Sequence, residues 1–273
     1  MTVALYVKVF DGIVLATDSA TTFSLGNNQY QVYNNADKIF HLHRNLPIAA
    51  MTWGLGTVGP ASISTISKSF RQKLMGRDAS EPGLDVDTYT VEEVAKRVSS
   101  MFHTTADEAG LTSWPDELGY LIAGFSSNCA QAEAWLLKFT GAELEPVPIQ
   151  ELSDNDYGFR AYAQPGAVNR LFNGYDEMLE QAILAGNPDP AAAKSVLQSL
   201  HLDPVQAGMP LPDAIALAKF MVEVTEGYTR YRFGADTVGG PVEVASLNPH
   251  EGFKWIQRKH YFNPALNQGE QTT

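Results

Sequence analysis

Cysteine and positive charge are both scarce in this chain, and each scarcity narrows what it can do. Cys129 is the only cysteine among 273 residues. That excludes an internal disulfide framework and any cysteine-cluster metal site, and it fits a reducing, cytoplasmic setting. Lys and Arg number 19 against 31 Asp and Glu, a net charge of −12 with a pI near 4.9. This balance argues against nucleic acid and anionic membrane surfaces as partners. No apolar run approaches the ~20 residues that a membrane span requires. No basic segment followed by an apolar stretch opens the chain, so no secretory signal is expected. No repeat of fixed period is visible. Hydrophobic residues at 44% suffice for a sizeable core. No linker of any length interrupts the chain, so a single domain over residues 1–262 is expected, with 263–273 an aperiodic and mobile tail.

What is present concentrates at the amino end. Met1 precedes a small hydroxyl residue, Thr2, and an initiator methionine is generally trimmed before such a residue. A mature chain starting at Thr2 would carry a hydroxyl nucleophile and a free amine on one residue. With an ordinary pKa of about 7.7–8.0, that amine is partly neutral at physiological pH and can take the hydroxyl proton. Val3, Leu5, Val7 and Val9 alternate as in a strand with one face inward. Asp11-Gly12 reads as a two-residue hairpin turn, and Ile13–Ala16 as a return strand that delivers Asp18 at its end. A third strand opens at Lys38. Asp18 and Lys38 can converge on Thr2, the ammonium lowering the amine and hydroxyl pKa values and the carboxylate holding the ammonium. The plainer alternatives stand beside this: Thr is common at position 2, and an Asp and a Lys at strand ends are often solvated or a structural ion pair.

The rest of the chain reads as segregated elements. Trp53-Gly54-Leu-Gly56-Thr-Val-Gly59-Pro60 matches a dinucleotide-binding glycine pattern after a strand, with Pro60 suited to a first helical turn. The region about 20 residues on is loop-like, where a Rossmann unit needs an acidic strand end. Helices are expected over Pro60–Leu74 and from the Thr90-Val-Glu-Glu93 capping box to about Ala109, packed side by side on a sheet. Strands follow at 117–126, 132–140, 143–150 and 157–162. Further helices are expected at 165–184, 190–200 and 211–228, with a last strand at 242–247. Asp85 and Asp87 read as a solvated loop rather than a cation site. His41 and His43 read as an exposed hairpin end rather than metal ligands. No cofactor and no metal are expected. The order indicates α+β with segregated elements rather than a parallel doubly wound sheet.

Taken together, the opening residues resemble a proteasome β-type subunit of the N-terminal nucleophile (Ntn) hydrolases, in the form of a bacterial-type proteasome homologue. The match rests on Thr2 as mature first residue, Asp11-Gly12-Ile-Val-Leu-Ala-Thr-Asp18-Ser-Ala-Thr21, Lys38-Ile-Phe, and Ile48-Ala-Ala-Met-Thr-Trp-Gly54-Leu-Gly56. The resemblance implies a four-layer αββα sandwich of two stacked antiparallel sheets. It also implies a threonine-type peptidase working through an acyl-enzyme on Thr2, with Asp18 and Lys38 beside it and the Gly54 N–H facing the oxyanion. A peptide or unfolded polypeptide would be the substrate. Self-assembly into a ring is implied, with an unfolding ATPase as a candidate partner.

Two stretches depart from the family pattern. The turn Ala163-Gln-Pro-Gly166 lacks the hydroxyl that active members place there. In Asp236-Thr237-Val238-Gly239-Gly240, valine stands where a serine precedes the glycines, and Thr237 is the nearest substitute hydroxyl. Asp236 and Thr237 therefore join the candidate catalytic set. A non-catalytic assembly subunit and a nucleotide-binding protein using the Gly54–Gly59 loop are the alternative readings.

Overall fold

The computed structural model describes residues 2–26, 29–78, 81–153, 155–232 and 237–259, with the backbone alone for 24–26 and 29–30. The expected tail and Asp236 lie outside the described residues. Strands β1 (Val3–Val9) and β2 (Gly12–Thr17) form the opening hairpin, in the register Val9↔Gly12 and Ala4↔Thr17. Its two turn residues are Phe10 and Asp11, one earlier than the sequence suggests. Gly12 has a different task. A Cβ there would lie 2.5 Å from the Leu247 carbonyl oxygen, so the glycine lets a neighbouring strand approach.

The hairpin is the centre of one antiparallel sheet, ordered β12–β1–β2–β13–β14, with β12 at Gly158–Ala163, β13 at Glu243–Asn248 and β14 at Gly252–Gln257. A second antiparallel sheet runs β11–β10–β9–β6–β5. Its strands are β5 (Ile39–His41), β6 (Ile48–Gly54), β9 (Trp114–Gly124), β10 (Glu133–Gly141) and β11 (Ile149–Gln150). Two small hairpins complete the strands, β3 (Thr21–Gly26) with β4 (Gln29–Tyr33), and β7 (Thr57–Val58) with β8 (Ala61–Ser62). Six helices are described: α1 (Ile63–Leu74), α2 (Val91–Glu108), α3 (Gly166–Phe172), α4 (Glu177–Gly186), α5 (Pro190–Ser199) and α6 (Leu211–Arg230). None is long and apolar enough to cross a membrane.

Three apolar clusters explain why strand alternation understates burial. Val3, Leu5 and Val7 pack with Ala214, Ala218 and Met221 of α6. The other face of the same hairpin, Ala4, Tyr6, Ile13 and Leu15, packs with Met51, Leu121 and Ala123 of the second sheet. Beyond that sheet, Ile48, Ala50, Tyr120 and Ile122 pack with Phe70 of α1 and Val94, Val98 and Phe102 of α2. All of β1 is thus buried, not one face of it.

Local chemistry sets the helix ends. The Thr90 side chain accepts the Glu93 N–H, as the capping box requires. Helix α1 begins at Ile63 rather than Pro60, because Gly59 and Pro60 form the turn of the β7–β8 hairpin and the Ser62 side chain accepts the Thr65 N–H as N-cap. The helix expected over 165–184 is two. It breaks at Asn173-Gly174, with Gly174 at φ +80°, and restarts where Asp176 caps Leu179 N–H. The strand expected over 143–150 shrinks to Ile149–Gln150, and β14 was not anticipated.

Candidate active site

Hairpin arithmetic brings Asp18 opposite the residue next to Thr2. Partners in the β1–β2 ladder sum to 21, so Val3 and Asp18 face each other just past Ala4↔Thr17. Asp18 N–H donates to the Val3 carbonyl at 3.3 Å, and Val3 N–H donates to Asp18 Oδ1 at 3.2 Å. Lys38 arrives from the other sheet. It immediately precedes β5, with its carbonyl accepting Thr52 N–H at 2.9 Å. Its ammonium then reaches across to donate to Thr2 Oγ1 and to Asp18 Oδ1, both at 2.7 Å.

The three side chains meet out of water: Thr2 and Lys38 are each 4% exposed and Asp18 is 0%. A buried carboxylate is costly unless its lone pairs are filled. Here Oδ2 accepts Ala20 N–H at 3.1 Å and Gly239 N–H at 3.0 Å, besides the two donors on Oδ1. Burial pushes the Lys38 ammonium below its ordinary lysine value, and the adjacent Asp18 opposes that shift. An ammonium at 2.7 Å from a hydroxyl oxygen stabilises the alkoxide that nucleophilic attack requires.

A cavity of about 310 Å³ opens beside this cluster, lined by Thr2, Lys38, Trp53, Gly54, Leu55 and Ile63 among others. Gly54 adopts φ +81°, and a Cβ on it would fall 2.0 Å from the Glu117 carbonyl oxygen. The glycine is therefore required by the approach of β9, whatever its N–H does. Gly54→Ala is expected to destabilise the fold by roughly 2–4 kcal/mol, from the left-handed backbone and the backbone overlap together, read as a lower urea midpoint at unchanged slope. The surroundings of Gly54, Gly56 and Gly59 are not those of a dinucleotide fingerprint. The strand before the glycines is antiparallel to its neighbours, and a hairpin separates them from α1. The glycines do not sit at a helix N-terminus where a pyrophosphate would bind.

The late loop reaches Asp18 and Ser19 through its backbone. Gly239 N–H holds Asp18, and the Gly239 carbonyl accepts Ser19 N–H at 2.9 Å. Val238 is 1% exposed and Thr237 is 4% exposed, but no hydrogen bond of the Thr237 hydroxyl is found among the described residues. Opposite Val3 on β12 lies Ala163, a non-glycine residue at φ +64°. A strained turn thus follows the strand residue opposite Val3, in the stretch Ala163–Gly166 that carries no hydroxyl.

The two histidines correct an expectation. His43 is 5% exposed and accepts Asn45 N–H on Nδ1 at 3.3 Å. His41 stacks on Phe253 at 4.2 Å, and its Nε2 bonds the Leu46 carbonyl at 3.1 Å. Both are set back from the exposed Arg44-Asn45 turn, His41 under Phe253 of β14 and His43 buried, and no group of three or more His, Cys, Asp or Glu able to hold a metal occurs among the described residues. Burial depresses the His41 pKa to about 4. The unfolded chain then binds more protons than the folded one between about pH 6.5 and 4, so stability is lost as pH falls through that window. His41→Phe is expected to remove up to about 3 kcal/mol of that acid sensitivity, measurable as a flatter melting temperature between pH 7 and 4.

Sequence reasoning missed Ser19, Glu243 and Lys259. The Lys259 ammonium donates to Ser19 Oγ at 2.9 Å and pairs with Glu243 Oε2 at 2.8 Å, directly behind Asp18. The available signal was an acid on the same strand face as Ala245 and Leu247, in a segment apolar on both faces.

No model of a known protein family matches the chain, and no curated protein matches it. Among solved structures it is similar to Anbu (ancestral beta-subunit) from Yersinia bercovieri, at 13% identity, 94% coverage of this chain, 88% of that chain and a TM-score of 0.55. Likeness at that identity speaks for architecture alone: two five-stranded antiparallel sheets with six described helices are compatible with a proteasome-like fold.

Proposed function

We propose that the chain is an N-terminal threonine amidohydrolase, a proteasome-like peptidase that acts once Met1 is removed and Thr2 becomes the first residue. The observation that carries this reading is the 2.7 Å contact from Lys38 Nζ to Thr2 Oγ1, with the same ammonium held by Asp18. Thr2 Oγ1 attacks the scissile carbonyl while its proton passes through water to the Thr2 amine. The charged Lys38 lowers the proton affinity of both groups, and Gly54 N–H stabilises the oxyanion. As the C–N bond breaks, the amine returns its proton to the leaving nitrogen, and an ester remains on Thr2. Water activated by the same amine then hydrolyses the ester. The 310 Å³ cavity takes a side chain of an unfolded polypeptide substrate. Asp236 and Thr237 complete the proposed catalytic set by orienting the amine and its water.

The chain is read as one domain over residues 1–262, built as a four-layer αββα sandwich. The succession of cores from α1 and α2 through both sheets to α6 supports that reading. The subunit assembles with copies of itself into a ring. Helix α4 buries none of its residues, and Met178, Leu179, Val196, Leu200 and Leu202 expose apolar surface on and around α4 and α5, which supports an assembled state. A second reading, a non-catalytic assembly subunit, is favoured by the absence of a hydroxyl in Ala163–Gly166 and by Val238 at the serine position.

Intact mass, N-terminal sequencing and labelling by a peptide epoxyketone, which requires a hydroxyl and a free amine together, test the proposal. The expected result is loss of Met1 and one adduct on Thr2. Retention of Met1 on the folded protein, or no adduct on trimmed protein, overturns peptidase action in favour of the second reading. A monomeric mass in light scattering removes the ring.

A further inference from the structure

We propose that Lys259 and Glu243 are a buried positioning pair that clasps the segment bearing Lys38 against the turn bearing Asp18, and so sets where the Lys38 ammonium stands relative to Thr2. This inference rests on the peptidase reading for its kinetic consequences, but its structural core is independent of it.

Lys259 ties three separate stretches together, two by hydrogen bonds that its ammonium donates and one by an ion pair. Its partners are Ser19 Oγ at 2.9 Å, the Ala36 carbonyl at 2.7 Å, and Glu243 Oε2 at 2.8 Å. Ser19 adjoins Asp18, Ala36 lies two residues before Lys38, and Glu243 pairs in the ladder with Thr17. Two further bonds complete the clasp: Ala36 N–H donates to the Ser19 carbonyl at 3.0 Å, and Ser19 Oγ donates to the Pro241 carbonyl at 2.6 Å. One side chain, 240 positions away from Ser19, thus joins the ends of β2, the approach to β5 and the start of β13. Both charges are removed from water, with side-chain exposure of 4% for Lys259 and 1% for Glu243.

A buried ion pair is a weak route to stability, since desolvation offsets most of the attraction. Its value here is geometric, because the remaining contacts of Lys259 run to the segments that carry the site. The pair also bears on Lys38 electrostatically. Burial and Asp18 dominate the charge state of Lys38. Lys259 disfavours its ammonium form and Glu243 favours it, so the two members of the pair act on Lys38 in opposite directions. The other charges facing the pair are Asp37, with Oδ1 at 3.8 Å from Lys259 Nζ, and Arg258 near Glu243.

Three variants test this: Glu243→Gln, Lys259→Met/Glu243→Gln, and Ser19→Ala. Glu243→Gln leaves Lys259 unbalanced. Lys38, followed by NMR of ¹³Cε-labelled lysine, should then titrate at lower pH than in the parent protein. The double variant removes both charges. Lys38 should titrate nearer its parent value than in Glu243→Gln, yet kcat for peptide cleavage should stay down on the order of tenfold with KM within about twofold, because the clasp is gone. The Ala36 amide should exchange with solvent at least about tenfold faster in the double variant, with β1 and β2 amides unchanged. Ser19→Ala leaves both charges in place and should give a smaller fall in kcat in the same direction. A double variant with parent kcat and parent Ala36 exchange overturns the proposal. So does a folded Glu243→Gln whose Lys38 titration is unmoved, and a fall in melting temperature alone does not rescue it. If the parent protein hydrolyses nothing, the peptidase reading fails, while exchange and titration still decide the clasp. If Glu243→Gln does not fold, Ser19→Ala with the exchange measurement carries the same decision.

Discussion

Thr2→Ala is expected to lower peptide hydrolysis on the order of 10⁴-fold, with the melting temperature close to that of the parent protein. The substitution removes the nucleophile but leaves Lys38 paired with Asp18 at 2.7 Å, so the buried charges stay matched. Thr2→Ser keeps hydroxyl and amine and should retain measurable turnover, with a covalent adduct of the expected mass. Loss of Thr2 without loss of hydrolysis would place the chemistry elsewhere. The pH profile gives a second reading of the same site. Activity should fall on the alkaline side when Lys38 loses its proton, at a midpoint below the ordinary lysine value of 10.5, because burial disfavours the ammonium. Stability runs the other way. A lysine whose folded pKa is depressed gives an unfolded state that binds more protons between that value and 10.5, so this group makes the fold more stable as pH rises through the window. Alkaline loss of activity without loss of folded structure is the expected signature, measured by kcat/KM and circular dichroism on the same samples.

The largest effect on stability is expected from Asp18→Ala. The carboxylate accepts the Lys38 ammonium and the N–H groups of Val3, Ala20 and Gly239, all inside the protein. Removing one partner of a buried pair costs about 3–5 kcal/mol, and each stranded donor adds about 1–3 kcal/mol. Against a total of about 5–15 kcal/mol for a typical domain, the variant should fail to fold or melt near room temperature. Asp18→Asn retains shape and part of the acceptor set, so it should fold with a loss of roughly 3 kcal/mol and little activity. Adding Lys38→Met to Asp18→Asn should recover stability without recovering activity, because no charge is then left unpaired. Urea denaturation of the two singles and the double closes the cycle. Additive losses would show that the pair is not coupled.

Much of this site could be read along the chain because its nearest relations are local. Asp18 faces Val3, the neighbour of Thr2, by the register of one hairpin with a two-residue turn, and that register follows from apolar strands of matched length. The Thr90 cap could be placed for the same reason, since a side chain three positions from its donor needs no distant partner. Where expectation failed, the competing influence was tertiary. Pro60 suits a helix start, but a small hairpin takes it. His41 and His43 suit an exposed strand end, but Phe253 of β14 stacks on His41 and His43 is buried. Residues 165–184 suit one helix, but a glycine at φ +80° and a new cap divide it.

The amino-acid order by itself determined the opening hairpin, the placing of Asp18 across from the residue next to Thr2, the capped helix after Thr90 and an acidic chain with a single cysteine. Only the tertiary structure decided that Lys38 crosses from the second sheet to Thr2, that Gly239 holds Asp18, and that Lys259 with Glu243 stands behind them. The physical reason is range. Hairpins and caps are set by contacts a few residues apart, whereas a buried charge finds its partners by packing between sheets and leaves no periodic trace in the sequence.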